Sequence, residues 1–207
     1  DVVSVAEEMD LIVALDWMML EQVCAFFGAH RELDGCAVSV NFSARQFLAP
    51  DAERRVLDTL ERHGLAPTRL KLELTERVLA GDIRRVRAVM EALAARGVEF
   101  YLDDFGTGYS NLSSVVALPL QYEKVDRSLL EAATNGGGGA LLLRAVVETF
   151  RAMGRGILLE GVETPEQYAL ACTLRADRLQ GYYLACPMPG EELCALMRSG
   201  ARRTRRT

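Results

Sequence analysis

The sequence predicts a parallel α/β sheet with crossover helices, and three observations carry that reading. Short strand-like runs alternate with longer stretches of helical spacing, six times in succession. Glycine stands between helix and next strand in "RGVEF" and "GRGILL", where a helix stop belongs. No shift of composition divides the chain, so its 207 residues read as one domain long enough to bury a sizeable core. Strand and helix in alternation imply parallel pairing, because parallel neighbours need long crossovers.

In chain order, helical spacing over roughly 5–28 precedes the strand run "CAVSVNF" (36–42). "SARQF" opens a helix over 44–63, and "LKLELTE" (70–76) follows. In that run Leu70, Leu72 and Leu74 share one face and Lys71, Glu73 and Thr75 the other, as suits a strand with one row against helices and one row turned inward. A helix over 82–96 leads to "VEFYLDDF" (98–105), and "YEKVD" (122–126) is the fourth strand. "NGGGG" (135–139) reads as a loop within a βα unit, ahead of a helix over 138–153. "GILLEGV" (156–162) is the fifth strand; Thr164 then caps a helix over 165–176 with Pro165 in its first position. "RLQGYY" (178–183) and a helix over 190–198 complete the pattern, and the basic tail 200–207 is expected to be disordered. Six units fall short of the eight of a closed barrel, which typically needs ~250 residues. The expectation is an open sheet, or a barrel whose first strands lie upstream of Asp1, a start that is not Met. Such a remnant exposes two sheet edges and is expected to be unstable or oligomeric unless something covers them.

A net charge of −5 gives the chain no basic field, which argues against duplex nucleic acid. Five cysteines without a CxxC pair fit a reduced, cytoplasmic compartment better than a disulfide framework. His30 and His63, the only histidines, lie away from the strand ends, so a histidine metal site or a Ser-His-Asp triad has little support. No signal peptide and no apolar run of bilayer-spanning length is read, so no membrane contact by this domain is expected, although an upstream membrane module could tether it.

The polar residues at the strand ends carry the chemistry. Asn41 ends the first run; Glu73, Thr75 and Glu76 the second; Asp103 and Asp104 the third; Lys124 and Asp126 the fourth; Glu160 and Glu163 the fifth; Gln180 lies in the sixth. Singly, each reads as a solvated strand end or a helix cap. Together they deliver amides, carboxylates and a lysine to one sheet edge, the edge where parallel α/β folds place ligands. The set is rich in hard oxygen donors and lacks His and Cys, which suits Mg²⁺ or Mn²⁺. Converging carboxylates repel unless cations join them, so a pair of ions is plausible, and such pairs serve in-line phosphoryl displacement. Lys124 is one of two lysines, against 22 arginines, and its compact charge suits a developing charge on phosphate. Adjacent Asp103 and Asp104 should point oppositely; both reach one site if the strand ends there and the glycines of "FGTG" let the backbone turn.

These residues resemble a known family. "SVAEEMDLI", "SVNFSARQF", "LELTE", "LDDFGTGYSNL", "KVDRSL", "EGVET" and "QGYYLACPMP" are similar, in order and spacing, to the EAL domain family of cyclic di-GMP phosphodiesterases, over nearly the whole chain. The resemblance implies a modified TIM barrel, here with about six βα units and the first strands missing. It implies a domain over 1–199, two Mg²⁺ or Mn²⁺ ions, and hydrolysis of cyclic di-GMP to linear pGpG. Asn41, Glu73 and Asp103 look like ligands of the first metal, with Asp103 bridging and Asp104 and Glu160 on the second. Lys124 would interact with the attacking water, Glu163 would support the site and Gln180 would lie beside it. Glu76 looks like the anchor of the loop "DFGTGYS", which in the family links dimerisation to activity, so a homodimer is expected. Sensory or cyclase domains often accompany the family's domains. The signature Glu-Ala-Leu should precede "VAEEMDLI" and is not in this sequence, so the 207 residues alone are expected to be weak or inactive. Cys186 stands where a basic residue is common and Leu159 where a small one is. The alternative is a non-catalytic cyclic di-GMP receptor; a protein-interaction module fits the filled site least.

Overall fold

The computed structural model describes residues 11–75, 82–105 and 116–199, and all six expected strands are present. They are β1 (Val38–Asn41), β2 (Leu70–Thr75), β3 (Glu99–Phe105), β4 (Tyr122–Val125), β5 (Gly156–Leu159) and β6 (Arg178–Leu179). All neighbours pair in parallel and in sequence order, so β1 and β6 are the edges of a curled half-barrel. The curl is visible in side-chain reach: Arg178 of β6 meets Tyr101 of β3 across the concave face.

The two faces of the sheet differ as the alternation in β2 predicts. Leu70, Leu72, Leu74, Phe100, Leu102, Val125, Ile157 and Leu159 are fully buried between sheet and helices. Helices α1 (Ile12–Ala29), α3 (Ala52–Arg62), α4 (Ile83–Ala94) and α6 (Gly139–Ala152) cover them. Each presents an apolar stripe at helical spacing: Val56 and Leu60 on α3, Val86, Met90 and Leu93 on α4, Leu143, Val147 and Phe150 on α6. Burying each such side chain contributes roughly 1.5–3 kcal/mol, so this layer is the main source of stability.

Four differences from the sequence reading have physical causes. The helix expected over 44–63 is two, α2 (Ala44–Phe47) and α3. Pro50 lacks an N–H and restricts Ala49, which breaks the run. A helix that the sequence reading omits, α5 (Arg127–Thr134), follows β4; the Asp126 side chain accepts from Ser128 N at 2.9 Å and starts it. The glycine loop then joins α5 to α6, with Gly136 and Gly137 at φ +93° and +77°, backbone that favours glycine. Third, α1 is, at 18 residues, long and apolar enough to cross a membrane by length and composition, contrary to the sequence reading. Its Trp17, Leu20, Cys24 and Phe27 belong to the core of this domain. Finally, β5 and β6 stop at Leu159 and Leu179, earlier than read, although single backbone bonds continue the pairing beyond them. The helices α7 (Pro165–Thr173) and α8 (Gly190–Arg198) lie close to their expected spans.

Candidate active site

The carboxyl ends of the strands carry the expected residues. The register places Asn41 opposite Glu73 and Thr75 opposite Asp103. Between β3 and β4 the register shifts: Leu102 pairs with Glu123 and Phe105 with Val125, so residues 103 and 104 together face the single Lys124. An irregularity of this kind re-aims side chains beside a site. The strand thus runs on through Phe105 rather than ending at the aspartates. Past β5, Glu160 N donates to Val125 O at 3.1 Å, and past β6, Gln180 N donates to Leu159 O at 2.9 Å. Both residues are held by backbone bonds although neither lies in a strand.

Lys124 is the centre of the cluster. Its Nζ lies 2.7 Å from Glu73 Oε2, 2.9 Å from Asp103 Oδ1 and 2.9 Å from Glu160 Oε1. The side chain is 5% exposed, and the three carboxylates come from β2, β3 and the end of β5. Burial opposes the ammonium, but Glu73, Asp103 and Glu160 outweigh it and raise the Lys124 pKa above the ordinary lysine range. Lys124 is therefore a fixed cation near neutral pH. Glu160 is shifted upward as well, first by burial, with Lys124 opposing and Asp103 and Glu73 adding to it. Three carboxylates against one ammonium leave the cluster formally two negative charges in excess.

Beside this cluster opens a cleft of about 450 Å³, lined by Glu160, Glu163, Gln180, Asp126, Arg127 and Cys186 among others. Glu163 is exposed, and its N–H donates to Gln167 Oε1 at 2.7 Å. Gln167 in turn completes the Thr164 capping box of α7. Asn41 is exposed at the edge strand; Phe42 N donates to Glu73 O at 2.8 Å, and Ser43 N donates at 3.1 Å to the buried Asp16. The structure thus brings Glu73, Asp103, Lys124 and Glu160 into direct contact, sets Glu163 and Gln180 along the adjoining cleft, and leaves Asn41 at the rim. Glu76, the side chain of Asp104, the loop after it and the tail 200–207 lie outside the described residues. Arg127 lies within the motif "KVDRSL", but the sequence reading does not single it out as a site residue; Asp126, read as a strand end, also caps α5.

Among the described residues no three Asp, Glu, His or Cys side chains form a ready metal cluster by themselves, because the carboxylates are drawn around Lys124. The donor set nevertheless fits hard divalent cations: it is all oxygen, and its excess negative charge needs compensation.

A curled parallel half-barrel with carboxylates and one lysine at the carboxyl ends of its strands defines a TIM-barrel-like domain with an acidic site. The chain belongs to the EAL domain family, whose model matches residues 1–187. It is 35% identical over 195 residues to the bifunctional diguanylate cyclase/cyclic di-GMP phosphodiesterase MucR of Pseudomonas aeruginosa, covering 92% of this chain and 28% of that protein. It is 32% identical over 202 residues to the cyclic di-GMP phosphodiesterase PdeL of Escherichia coli K12, covering 96% of this chain and 56% of that protein. The chain thus spans about a quarter to just over half of these relatives. The solved PaMucR phosphodiesterase in complex with c-di-GMP superposes with a TM-score of 0.82 at 35% identity, over 92% of this chain and 78% of that one. The manganese/cy-diGMP complex of Klebsiella pneumoniae BlrP1 gives 0.74 at 27% identity, over 83% and 44%.

Proposed function

We propose that this domain, in the intact protein, hydrolyses cyclic di-GMP to linear pGpG with two Mg²⁺ or Mn²⁺ ions. The observation that carries the reading is the buried Lys124 held by Glu73, Asp103 and Glu160 at the carboxyl ends of the strands. Relatives named as cyclic di-GMP phosphodiesterases and a neighbour solved with manganese and the dinucleotide support it. Asn41, Glu73 and Asp103 would hold one ion; Asp103, Asp104 and Glu160 the other. When bound, such a pair lowers the pKa of water and stabilises both oxygens of an in-line displacement.

The chain's own residues define the rest. Water oxygen bonds to phosphorus, the bond from phosphorus to the 3′ oxygen breaks, and that oxygen takes up a proton, leaving a 5′-phosphorylated linear dinucleotide. Lys124, fully protonated, does not serve as the base; it stabilises charge on the attacking and phosphoryl oxygens. Glu163 and Gln180 line the cleft where the dinucleotide would lie, and Arg127 brings a cation to the same cleft. The loop after Asp104 would support a homodimer. Chromatography of cyclic di-GMP incubated with the intact protein and Mn²⁺ tests the reading: pGpG supports it, and binding without turnover favours the receptor reading instead.

A further inference from the structure

We propose that Arg178 is a positioning residue for this site, a brace that ties β6 and Gln180 to β3 and β4 across the concave face. The inference rests on the phosphodiesterase reading above.

β6 is the shortest strand of the sheet. It has two residues, it is an edge, and its register consists of Leu158 with Arg178 and Leu159 with Leu179. Yet it carries Gln180 into the cleft beside Glu160. Backbone bonds hold Gln180 to Leu159 and Val162, and Arg178 adds a side-chain tie across the sheet. Its Nη1 donates to the Tyr101 hydroxyl, its Nη2 lies 3.8 Å from Glu99 Oε2, and its guanidinium carbon sits 4.2 Å from the centre of the Tyr122 ring. The receiving layer is itself locked. Tyr101 donates to Glu99 at 3.1 Å, Lys71 Nζ meets the same carboxylate at 2.9 Å, and the Tyr101 and Tyr122 rings meet at a 37° tilt with centres 4.8 Å apart. Gly156 makes room for it: a Cβ there would lie 2.3 Å from Cε1 of Tyr122.

The spacing gives the layer its bearing on the site. Tyr101 stands two residues before Asp103 and Tyr122 two before Lys124, each pair on one face of its strand, and Gln180 follows directly on β6, two residues after Arg178. Arg178 therefore fixes three site-bearing strands through the residues beneath the site, without touching the reacting groups.

The test compares Arg178→Ala, Arg178→Lys and Tyr101→Phe in the intact protein. Two readouts are used: amide exchange at Gln180 without metal, and cyclic di-GMP turnover with Mn²⁺. Misplacement of about 1 Å costs up to ~10²-fold in rate, so Arg178→Ala is expected to lower kcat about tenfold with KM within about twofold. Exchange at Gln180 is expected to quicken by about tenfold, as local opening becomes easier. Arg178→Lys keeps the charge over the rings and recovers part of both. Wild-type exchange and kcat in Arg178→Ala overturn the brace, as does a kcat loss that tracks only the folded fraction. If Arg178→Ala does not fold, Tyr101→Phe decides: a lowered kcat with faster Gln180 exchange supports the brace, and wild-type values overturn it. A wild-type protein that turns over no cyclic di-GMP overturns the phosphodiesterase reading instead, while the exchange readout still reports on the tie.

Discussion

Lys124 Nζ lies 2.9 Å from Glu160 Oε1, although the register of β4 and β5 pairs Lys124 with Leu158, two residues earlier. The lysine therefore leans toward the carboxyl end of the sheet and draws the strand-end carboxylates over itself. A protein with metals in this site would have those carboxylates to share, and Lys124 would hold the site together in their absence.

Lys124→Ala should be costly in two ways. It leaves Glu73, Asp103 and Glu160 together without their shared cation, and removing one partner of a buried ion pair typically costs about 3–5 kcal/mol. Urea unfolding of the metal-free protein measures that loss. Turnover at saturating Mn²⁺ should fall by roughly 10²–10³-fold, as for loss of one oxyanion-stabilising donor.

The pH dependence follows from the sign of the Lys124 shift. Its folded pKa is raised above the ordinary 10.5, so its contribution is fully present below that value and is lost as pH rises through the folded pKa. Metal-free wild-type protein should lose stability above about pH 10.5 more steeply than Lys124→Ala. Parallel alkaline profiles would contradict this.

Glu160 has the opposite consequence. Its folded pKa is also raised, chiefly by burial, so the ionised carboxylate disfavours the metal-free fold above the ordinary carboxyl range. Glu160→Gln should therefore flatten the stability gain expected as acidification toward the ordinary carboxyl range protonates Glu160. It should also remove much of the rise in Tm that Mn²⁺ gives the wild type, because a ligand that binds only the folded state stabilises by mass action. Differential scanning calorimetry with and without Mn²⁺ reads both effects.

Thr164→Ala tests the support of Glu163. The Thr164 hydroxyl accepts from Gln167 N at 3.2 Å, while Gln167 Oε1 accepts from both Glu163 N and Thr164 N. Loss of such a cap costs about 0.5–2 kcal/mol and would free the Glu163 turn as well. Chemical denaturation should show the first effect.

Much of this was legible in the sequence because the strand ends are written in residue type. The alternation in "LKLELTE" separates the Leu row that meets the helices from Lys71 and Glu73, which the structure buries on the concave face. The capping signal at Thr164 and Pro165 was equally plain, since a cap is local chemistry. What escaped depends on tertiary geometry. The register shift that sets backbone positions 103 and 104 opposite the single residue 124 is a property of strand pairing, and no residue in "YLDDF" announces it. Arg178, Tyr101, Tyr122 and Gly156 lie on three different strands and meet only because the sheet curls. Helix α5 escapes although Asp126 and Ser128 mark its start, because Asp126 reads equally as the strand end of "YEKVD".

Cyclic di-GMP turnover by the intact protein with Mn²⁺, set beside its Glu73→Gln variant, tests the central claim most directly. The Lys124–Glu73–Asp103–Glu160 cluster predicts pGpG from the wild type and a loss of at least about 10²-fold in the variant. Cyclic di-GMP left intact by the wild type, or equal turnover by both, would contradict it.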